Sequence, residues 1–260
     1  MIEITEVYKS FGEQSVLKGL SATIPKGKTL VILGRSGVGK SVLLKHIMGL
    51  TFPDSGEILI DGIDITKLKP KDLQKARLSM GMLFQGGALF DSMNIEENVS
   101  FYLNQHLNPE TNKPYPKSYI DTKVKEALAM VGLSGIEKKN PSELSGGMRK
   151  RAALARLIVY RPKLLLYDEP TTGLDPITAM QINQLIRKTQ KELQATSVVV
   201  THDLISALVV GDYLALHNEG RLSFLSEPEE FLKQQHPIIE FFKKTLDQDP
   251  RLLKEVIWHE

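Results

Sequence analysis

The beginning of the chain has the pattern of strands on either side of one helix. Met1 to Glu6 alternates apolar and polar residues, which is typical of a strand with one buried face. Residues 1–33 and 56–62 therefore predict strands of an antiparallel edge sheet. Pro53-Asp54-Ser55-Gly56 predicts the turn that leads into the second of these ranges.

Helices dominate the middle of the chain. The first helix stops near Gly49, and its buried stripe is formed by four residues at helical spacing: Leu43, Leu44, Ile47 and Met48. Residues 88–158 contain no strand-like run and predict a helical subdomain. The polar, proline-containing loop from Asn108 to Lys117 interrupts it.

Parallel strands are predicted again over residues 159–225, where continuous apolar runs indicate strands buried on both faces. A helix lies between them, with a buried stripe of Ile182, Leu185, Ile186 and Leu193. The tail predicts helices with a break at Pro237. Five apolar residues of the tail predict packing, either on the chain's own core or on a second subunit: Phe231, Ile238, Ile239, Phe242 and Leu246.

These elements predict an α/β fold in one domain spanning residues 1–260. Residues 1–87 and 159–225 form its core, residues 88–158 a helical subdomain, and residues 226–260 a C-terminal helical extension. The sequence shows no internal repeat.

Composition narrows the class of protein. The 260 residues include 33 Lys and Arg against 31 Asp and Glu, so the net charge of +2 gives no general attraction to nucleic acid or to an anionic membrane. The absence of cysteine excludes disulfides and thiol chemistry. The N-terminus lacks the pattern of a signal peptide. The most apolar window, Val198 to Leu216, contains His202, Asp203 and Asp212, so we expect no membrane span there.

A phosphate-binding loop follows the apolar run Leu30 to Leu33. The residues from Gly34 to Ser41 fill the pattern G-x-x-x-x-G-K-[ST], whose glycines let main-chain amides curl around a phosphate. Lys40 supplies a positive charge and the hydroxyl of Ser41 a ligand for Mg²⁺. The predicted nucleotide-binding residues of this segment are Gly34, Arg35, Ser36, Gly37, Val38, Gly39, Lys40, Ser41 and Val42.

Two acids close the apolar run Leu164 to Tyr167. Asp168 and Glu169 then lie at the carboxyl end of a buried strand, which is where ligands bind in parallel sheets. We expect Asp168 to reach Mg²⁺ through its water shell. Glu169, one residue further, is the candidate general base that polarises the attacking water.

Ser145-Gly146-Gly147 forms a second candidate anion site at the start of a predicted helix, 147–160. An ordinary helix-capping loop is the alternative for this tripeptide taken alone. The basic run Arg149-Lys150-Arg151 that follows is interpreted as a solvated helix face.

In this order and spacing, the segments resemble the nucleotide-binding subunit of an ABC transporter. Leu144 to Met148 is similar to the LSGGQ signature of that family, with Met148 in place of the usual Gln. The resemblance implies a P-loop NTPase (RecA-like) core with an antiparallel edge sheet and a helical subdomain. It also implies hydrolysis of ATP with Mg²⁺, in a head-to-tail homodimer whose signature residues Ser145, Gly146 and Gly147 contact the other subunit's ATP.

The resemblance assigns further residues one by one. Phe11 matches the aromatic that stacks on adenine, and Val16 its apolar neighbour. Gln85 matches the glutamine that contacts Mg²⁺ and the attacking water. Asp175 matches the loop that communicates across the dimer, and it also predicts the N-cap of the following helix. His202 matches the switch histidine that contacts the γ-phosphate and orients Glu169.

Three segments resemble the ATPases of Mla/Mce-type phospholipid transporters: residues 82–99, 147–151 and 171–177. This similarity implies integral-membrane permease subunits, an Mce-type lipid-binding protein, and a place on the cytoplasmic face of the inner membrane. No nucleic-acid partner is expected. The permease would dock beside residues 85–101, where four residues offer apolar contact unless they only pack the subdomain core: Ala88, Leu89, Phe90 and Met93.

Three other functions stay open. An importer of a small solute such as an amino acid shares much of the pattern. A chromosome or repair ATPase would need a long coiled-coil insertion between the phosphate-binding loop and the signature, and the sequence has none there. A catalytically silent subunit would not need Lys40, Ser145, Glu169 and His202.

Overall fold

The computed structural model describes residues 1–247. In that range ten strands form two sheets: β1 (Ile2–Phe11), β2 (Gln14–Ile24), β3 (Thr29–Leu33), β4 (Ser55–Ile60), β5 (Ile63–Asp64), β6 (Met80–Leu83), β7 (Leu164–Asp168), β8 (Thr196–Thr201), β9 (Tyr213–Asn218) and β10 (Arg221–Ser226). The α-helices over the same range are α1 (Lys40–Ile47), α2 (Pro70–Arg77), α3 (Ile95–Gln105), α4 (Lys117–Met130), α5 (Gly146–Ile158), α6 (Pro176–Leu193), α7 (Leu204–Val210), α8 (Pro228–Leu232) and α9 (Pro237–Asp247). Short 3₁₀ turns cover Ile65–Lys67 and Pro141–Glu143.

The antiparallel sheet has the strand order β2-β1-β4-β5. Placing all of residues 1–33 in this sheet is wrong, because β3 belongs to the other sheet and pairs in parallel with β8 and β9. All five residues of β3 are buried. A strand that is buried on both faces needs cover on each side, which the centre of a parallel sheet supplies and an edge sheet does not.

The second sheet has the order β10-β9-β3-β8-β7-β6. Its strands are parallel except β10, which pairs antiparallel with β9. The expectation of parallel strands throughout residues 159–225 is therefore wrong for β10. Only Glu219 and Gly220 separate β9 from β10, and a parallel connection needs a crossover of a dozen or more residues.

Alternate residues of the central strands enter two different hydrophobic cores. In β3, Leu30 and Ile32 pack in the core shared with α1 and the antiparallel sheet. Val31 and Leu33 pack in the core shared with the helices on the opposite face. The two-residue period of a strand thus buries both faces of the sheet.

The helices follow the predicted pattern closely. In α1, Leu43, Leu44 and Ile47 are buried, whereas Met48 lies beyond the last helical residue. The described residues 88–158 contain helices and one isolated bridge, but no strand. The helix predicted at 147–160 is α5, and it begins one residue earlier. The boundaries of the helical subdomain itself stay a prediction.

Of the four predicted stripe residues of α6, Ile182 and Ile186 are fully buried. The other two stripe residues, Leu185 and Leu193, pack partly buried against the same core.

The tail packs on the chain's own core as far as it is described. The helical break falls at Pro237, between α8 and α9. Phe231 and Ile239 are buried, and Ile238 packs partly buried against the same core. The predicted contacts of Phe242 and Leu246, and residues 248–260, lie outside the described part of the chain.

The apolar window Val198 to Leu216 forms parts of β8 and β9 with α7 between them. Among the described residues, no helix combines the length and the apolar character needed to cross a membrane.

Candidate nucleotide-binding and hydrolysis site

The phosphate-binding loop joins the carboxyl end of β3 to the first residue of α1. The ammonium of Lys40 is buried and donates to the main-chain oxygens of Gly34, at 2.6 Å, and Arg35, at 2.9 Å. The loop therefore closes around the lysine of its own helix. This closure gives the curl of main-chain amides a defined shape for an anion.

Gly39, the last residue before α1, can only be glycine for two reasons. Its φ of +105° lies in the left-handed region that side chains disfavour. A Cβ atom here would also lie 2.4 Å from Cγ1 of Val16. Val16 therefore packs directly against the loop, and its predicted contact with the adenine stays a prediction.

Ser41 and Asp168 meet at the carboxyl end of β7. The hydroxyl of Ser41 donates to Oδ1 of Asp168 at 2.8 Å. Hydroxyl and carboxylate oxygens are the donors that Mg²⁺ prefers, and it normally completes its shell with water and phosphate oxygens. Within residues 1–247, no group of three or more His, Cys, Asp or Glu is arranged to hold a metal alone. The pair thus fits Mg²⁺ delivered with a nucleotide.

Glu169 is held from several sides. Its φ is +48°, an unusual value for a residue with a side chain, and its N–H donates to the oxygen of Val200 at 3.0 Å. Oε1 lies 3.1 Å from the ammonium of Lys40. Oε2 lies 2.7 Å from Nδ1 of His202 and accepts from the hydroxyl of Thr172 at 3.2 Å. Contacts within the chain therefore fix the position of the carboxylate.

The contact between His202 and Glu169 defines the roles of their atoms. An ionised carboxylate only accepts hydrogen bonds, so Nδ1 of His202 is the donor whenever Glu169 is ionised. The side chain of Glu169 is 11% exposed and that of His202 is 49% exposed. This arrangement suits a general base that faces a cleft and is oriented by a histidine at its rim.

These groups line one cleft of about 390 Å³. The carboxyl ends of neighbouring strands meet at this edge of the sheet, which is the usual ligand position in such folds. Ten predicted residues form its wall: Val16, Ser36, Gly37, Gly39, Lys40, Ser41, Val42, Gln85, Glu169 and His202. Gln14 and Thr172 also line it, and neither was predicted.

Other predicted residues do not form the wall of this cleft: Phe11, Gly34, Arg35, Val38, Asp168, Ser145, Gly146, Gly147 and Asp175. Asp168 reaches it through Ser41, as described above. Phe11 ends β1 and is 50% exposed, with the ammonium of Lys9 5.5 Å from its ring centre. Its ring is accessible to a flat ligand, but adenine stacking stays a prediction.

The signature segment begins α5. Ser145 is the N-cap, and its hydroxyl accepts from the N–H of Met148 at 3.3 Å. The interpretation of this segment as a helix-capping loop is therefore correct for Ser145 within its own chain. Capping uses one of the amides at this helix start and does not exclude a second, intermolecular role.

Gly147 is required by packing inside the chain. A Cβ atom at this position would lie 2.5 Å from Cγ2 of Thr178 on α6. A Cβ at Gly146 would meet only ordinary van der Waals contact with Leu174, at 3.7 Å. The second glycine of the signature thus lets α5 approach α6, independently of any ligand.

We expect Gly147→Ala to lower the free energy of unfolding by about 1–3 kcal/mol, the usual effect of overpacking. Thr178→Ser removes the methyl group that would clash, so the double variant should recover most of that loss. Urea unfolding of the four proteins measures this coupling. Additive losses in the double variant would contradict the packing explanation.

Asp175 is the N-cap of α6, as predicted. Its Oδ1 accepts from the N–H groups of Ile177, at 3.1 Å, and Thr178, at 3.0 Å. Hydrogen bonds from Thr178 hold the pKa of this carboxyl below its usual value. The cap is structural, and communication across a dimer stays a prediction.

Lys150 corrects the interpretation of the basic run as a solvated face. Arg149 is exposed and Arg151 half-buried, but Lys150 is buried and donates to the main-chain oxygen of Gln85. Burial lowers the pKa of Lys150, and the charges of Asp168 and Glu169 oppose that shift. Lys150 shares one face of α5 with Gly147 and the buried Leu154, because the three follow at helical spacing. This pattern could have predicted that Lys150 points inward.

His217 on β9 lies beneath the phosphate-binding loop and was also missed. A Cβ at Gly34 would lie 2.8 Å from its main-chain oxygen. Neither ring nitrogen has a hydrogen-bond partner among the described residues. Burial and the charge of Lys40 lower the pKa of His217 to about 4. The imidazole is therefore neutral near pH 7 and adds no second charge beside Lys40.

The fold and the cleft define a P-loop nucleoside triphosphatase. A phosphate-binding loop and an acid pair, with a histidine beside the second acid, lie at the ends of adjacent parallel strands. The family model described as ABC transporter matches residues 17–172, which is more than half of the chain.

Curated relatives agree with that match. The chain is 42% identical over 241 residues to "Probable ribonucleotide transport ATP-binding protein mkl" of Mycobacterium tuberculosis, covering 93% of this chain and 66% of that protein, just under two thirds of its length. It is 39% identical to "Intermembrane phospholipid transport system ATP-binding protein MlaF" of Haemophilus influenzae, covering 95% and 92%. It is 40% identical to "Methionine import ATP-binding protein MetN" of Clostridium tetani, covering 98% and 77%.

A solved structure gives the same result for the fold. A dimeric ATP-binding cassette in a post-hydrolysis state, bound to ADP and phosphate, aligns with a TM-score of 0.78 at 31% identity, covering 88% of this chain and 99% of that one. The chain belongs to the ABC transporter family.

Proposed function

We propose that the chain is the ATP-hydrolysing subunit of a transporter that moves phospholipid across or between envelope membranes. In this proposal it acts as a homodimer on the cytoplasmic face of the inner membrane, bound to integral-membrane permease subunits. An Mce-type lipid-binding protein completes the assembly. The fixed contact of Glu169 with both Lys40 and His202 is the observation that carries the hydrolytic part.

In the proposed reaction, the loop amides and Lys40 bind the β- and γ-phosphates, and Glu169 accepts a proton from the attacking water. His202 keeps Glu169 oriented through the 2.7 Å contact. Ser41, Asp168 and Gln85 would hold Mg²⁺, which neutralises phosphate charge when bound. Ser145 and the amides that begin α5 would complete the site on the second copy.

An apolar groove beside the predicted docking segment supports a permease partner. It has a volume of about 300 Å³, and its wall includes Leu50, Phe84, Ala88, Phe101 and Arg156. Leu50 and Phe84 are 48% and 39% exposed, so the groove presents apolar surface to a partner. Such a groove suits the apolar face of a short helix.

The four residues expected to contact the permease do not share one environment. Ala88 lines the groove, whereas Leu89 packs against the main core. The ring of Phe90 lies 4.8 Å from that of Phe101. Met93 is half-buried and is not on the wall of the groove.

The choice of phospholipid rests on the MlaF relative and on the three similar segments. Percentage identity does not decide, because relatives named for phospholipid, ribonucleotide and methionine transport lie between 39% and 42%. MlaF is matched over 92% of its own length, more than the other two. Import of a small solute is the second candidate, supported by the MetN relative.

Reconstitution distinguishes these two functions. The tagged chain is purified with the membrane proteins that accompany it and placed in vesicles. We expect ATP to drive transfer of a fluorescent phospholipid to acceptor vesicles, and we expect the complex with Lys40→Ala to transfer none. ATP-driven uptake of methionine without lipid transfer would establish the importer instead.

A further inference from the structure

Side chains of α5 hold the segment that follows β6. Lys150 donates from its ammonium to the main-chain oxygen of Gln85. One helical turn and a half further on, Arg156 donates to the main-chain oxygen of Ala88 at 2.5 Å. The segment that carries the proposed magnesium-site glutamine is thus fastened to the signature helix through its main chain.

The side chain of Lys150 is shielded from water, whereas that of the neighbouring Arg149 is exposed. Lys150 is 8% exposed. Arg149 also reaches the segment, at 3.5 Å from Asp91, but these side chains are 45% and 81% exposed. Exposed ion pairs contribute little, whereas hydrogen bonds to a buried charge contribute more.

A buried ammonium needs compensation, and Lys150 has it from two directions. The oxygen of Gln85 accepts its hydrogen bond, and the carboxylates of Asp168 and Glu169 stabilise its charge. Within the described part of the chain, Lys150 is the one buried basic residue of α5.

We propose that Lys150 is the positioning residue that connects the signature helix to Gln85. It holds the main chain at Gln85 and so fixes where that side chain begins. When Ser145 at the start of α5 meets the nucleotide of a second copy, Lys150 transmits the movement of α5 to Gln85. This role rests on the proposed ATP hydrolysis, although the contact itself does not.

If Lys150 only supported the fold, a substitution that preserves folding would change neither amide exchange near Gln85 nor ATP turnover. Replacing a buried charge by an apolar side chain of similar size is often neutral for folding. Lys150→Met keeps most of the stem and removes the donor, and Lys150→Arg keeps charge and donors. Arg149→Met is the matched control, since it removes a cation from the adjacent, exposed position.

Hydrogen exchange of the nucleotide-free, full-length chain tests the contact without any turnover. We expect amides of residues 85–91 to exchange about 10-fold faster in Lys150→Met, the factor that loss of one hydrogen bond to a charged group produces. Exchange in Arg149→Met and Lys150→Arg should match the wild type. Unchanged exchange in Lys150→Met would overturn the proposal.

Steady-state ATP hydrolysis in the permease complex tests the consequence. Lys150→Met should lower kcat by about 10- to 100-fold, as loss of a supporting contact typically does, with KM for ATP nearly unchanged. Lys150→Arg should restore most of kcat. A wild-type kcat in Lys150→Met, or a loss confined to KM, overturns the link. If the wild-type complex hydrolyses no ATP, the proposed function fails, and the exchange result still decides the contact.

Discussion

Glu169→Gln should lower ATP turnover by about 10²–10⁴-fold, the usual effect of losing a general base. The amide keeps the shape of the side chain but cannot accept the proton of the attacking water. Binding of ATP should persist, because the loop and Lys40 remain. Phosphate release in the assembled complex and calorimetric titration of ATP into the purified chain measure the two effects separately.

The structure also explains why Glu169→Gln should lower ATP turnover but leave ATP binding intact. Lys40 has three partners, so loss of the Glu169 charge leaves it bonded to the oxygens of Gly34 and Arg35. Glu229→Gln, at an exposed position of α8, is the control for a change of charge alone. If Glu169→Gln retains more than about a third of wild-type turnover, Glu169 is not the base.

Ser145→Arg should block nucleotide-driven closure of the dimer while ATP still binds the single chain. Ser145 does not line the chain's own cleft, so its substitution leaves that cleft intact. In a composite site, a bulky cation would occupy the position of the γ-phosphate beside the first amides of α5. Size-exclusion chromatography with ATP, in a Glu169→Gln background that prevents turnover, measures closure.

The decisive experiment mixes Ser145→Arg with Lys40→Ala in one permease complex. Each composite site takes its loop from one chain and its signature from the other. Both lesions then fall in a single site, and the other site is intact. Activity that neither homodimer shows should return if one site suffices. Full activity of the Ser145→Arg homodimer would refute the shared site, whereas an inactive mixture would indicate that both sites are required.

Loss of the helix cap is the main complication of this variant. Ser145 caps α5, and replacing such a residue typically destabilises a protein by about 0.5–2 kcal/mol. Ser145→Ala removes the cap without adding bulk or charge, so it controls for stability. If Ser145→Ala abolishes closure as completely as Ser145→Arg, then occupation of the γ-phosphate position by the arginine is not the cause.

Sequence reasoning works best here where the chemistry is local. The phosphate-binding loop is a contiguous segment between a strand and a helix, and its residues form much of the observed cleft. Asp175 caps its helix as a short-range pattern predicts. The strands and helices could likewise be predicted, because apolar residues recur along the buried face of each element at its own period.

Long-range packing decided the rest. The position of β3 at the centre of the parallel sheet depends on pairing with β8 and β9, which lie far along the chain. The burial of Lys150 depends on the main chain at Gln85 lying beside α5.

The sequence by itself predicted which residues carry phosphate, acid and base chemistry, because those motifs need particular side chains at short spacing. Only the tertiary structure decided that Gly147 must admit Thr178 and that Lys150 reaches the main-chain oxygen of Gln85. These contacts join residues that local propensity treats as independent. They form only when whole sheets and helices pack, since a contact between distant residues depends on every element that separates them.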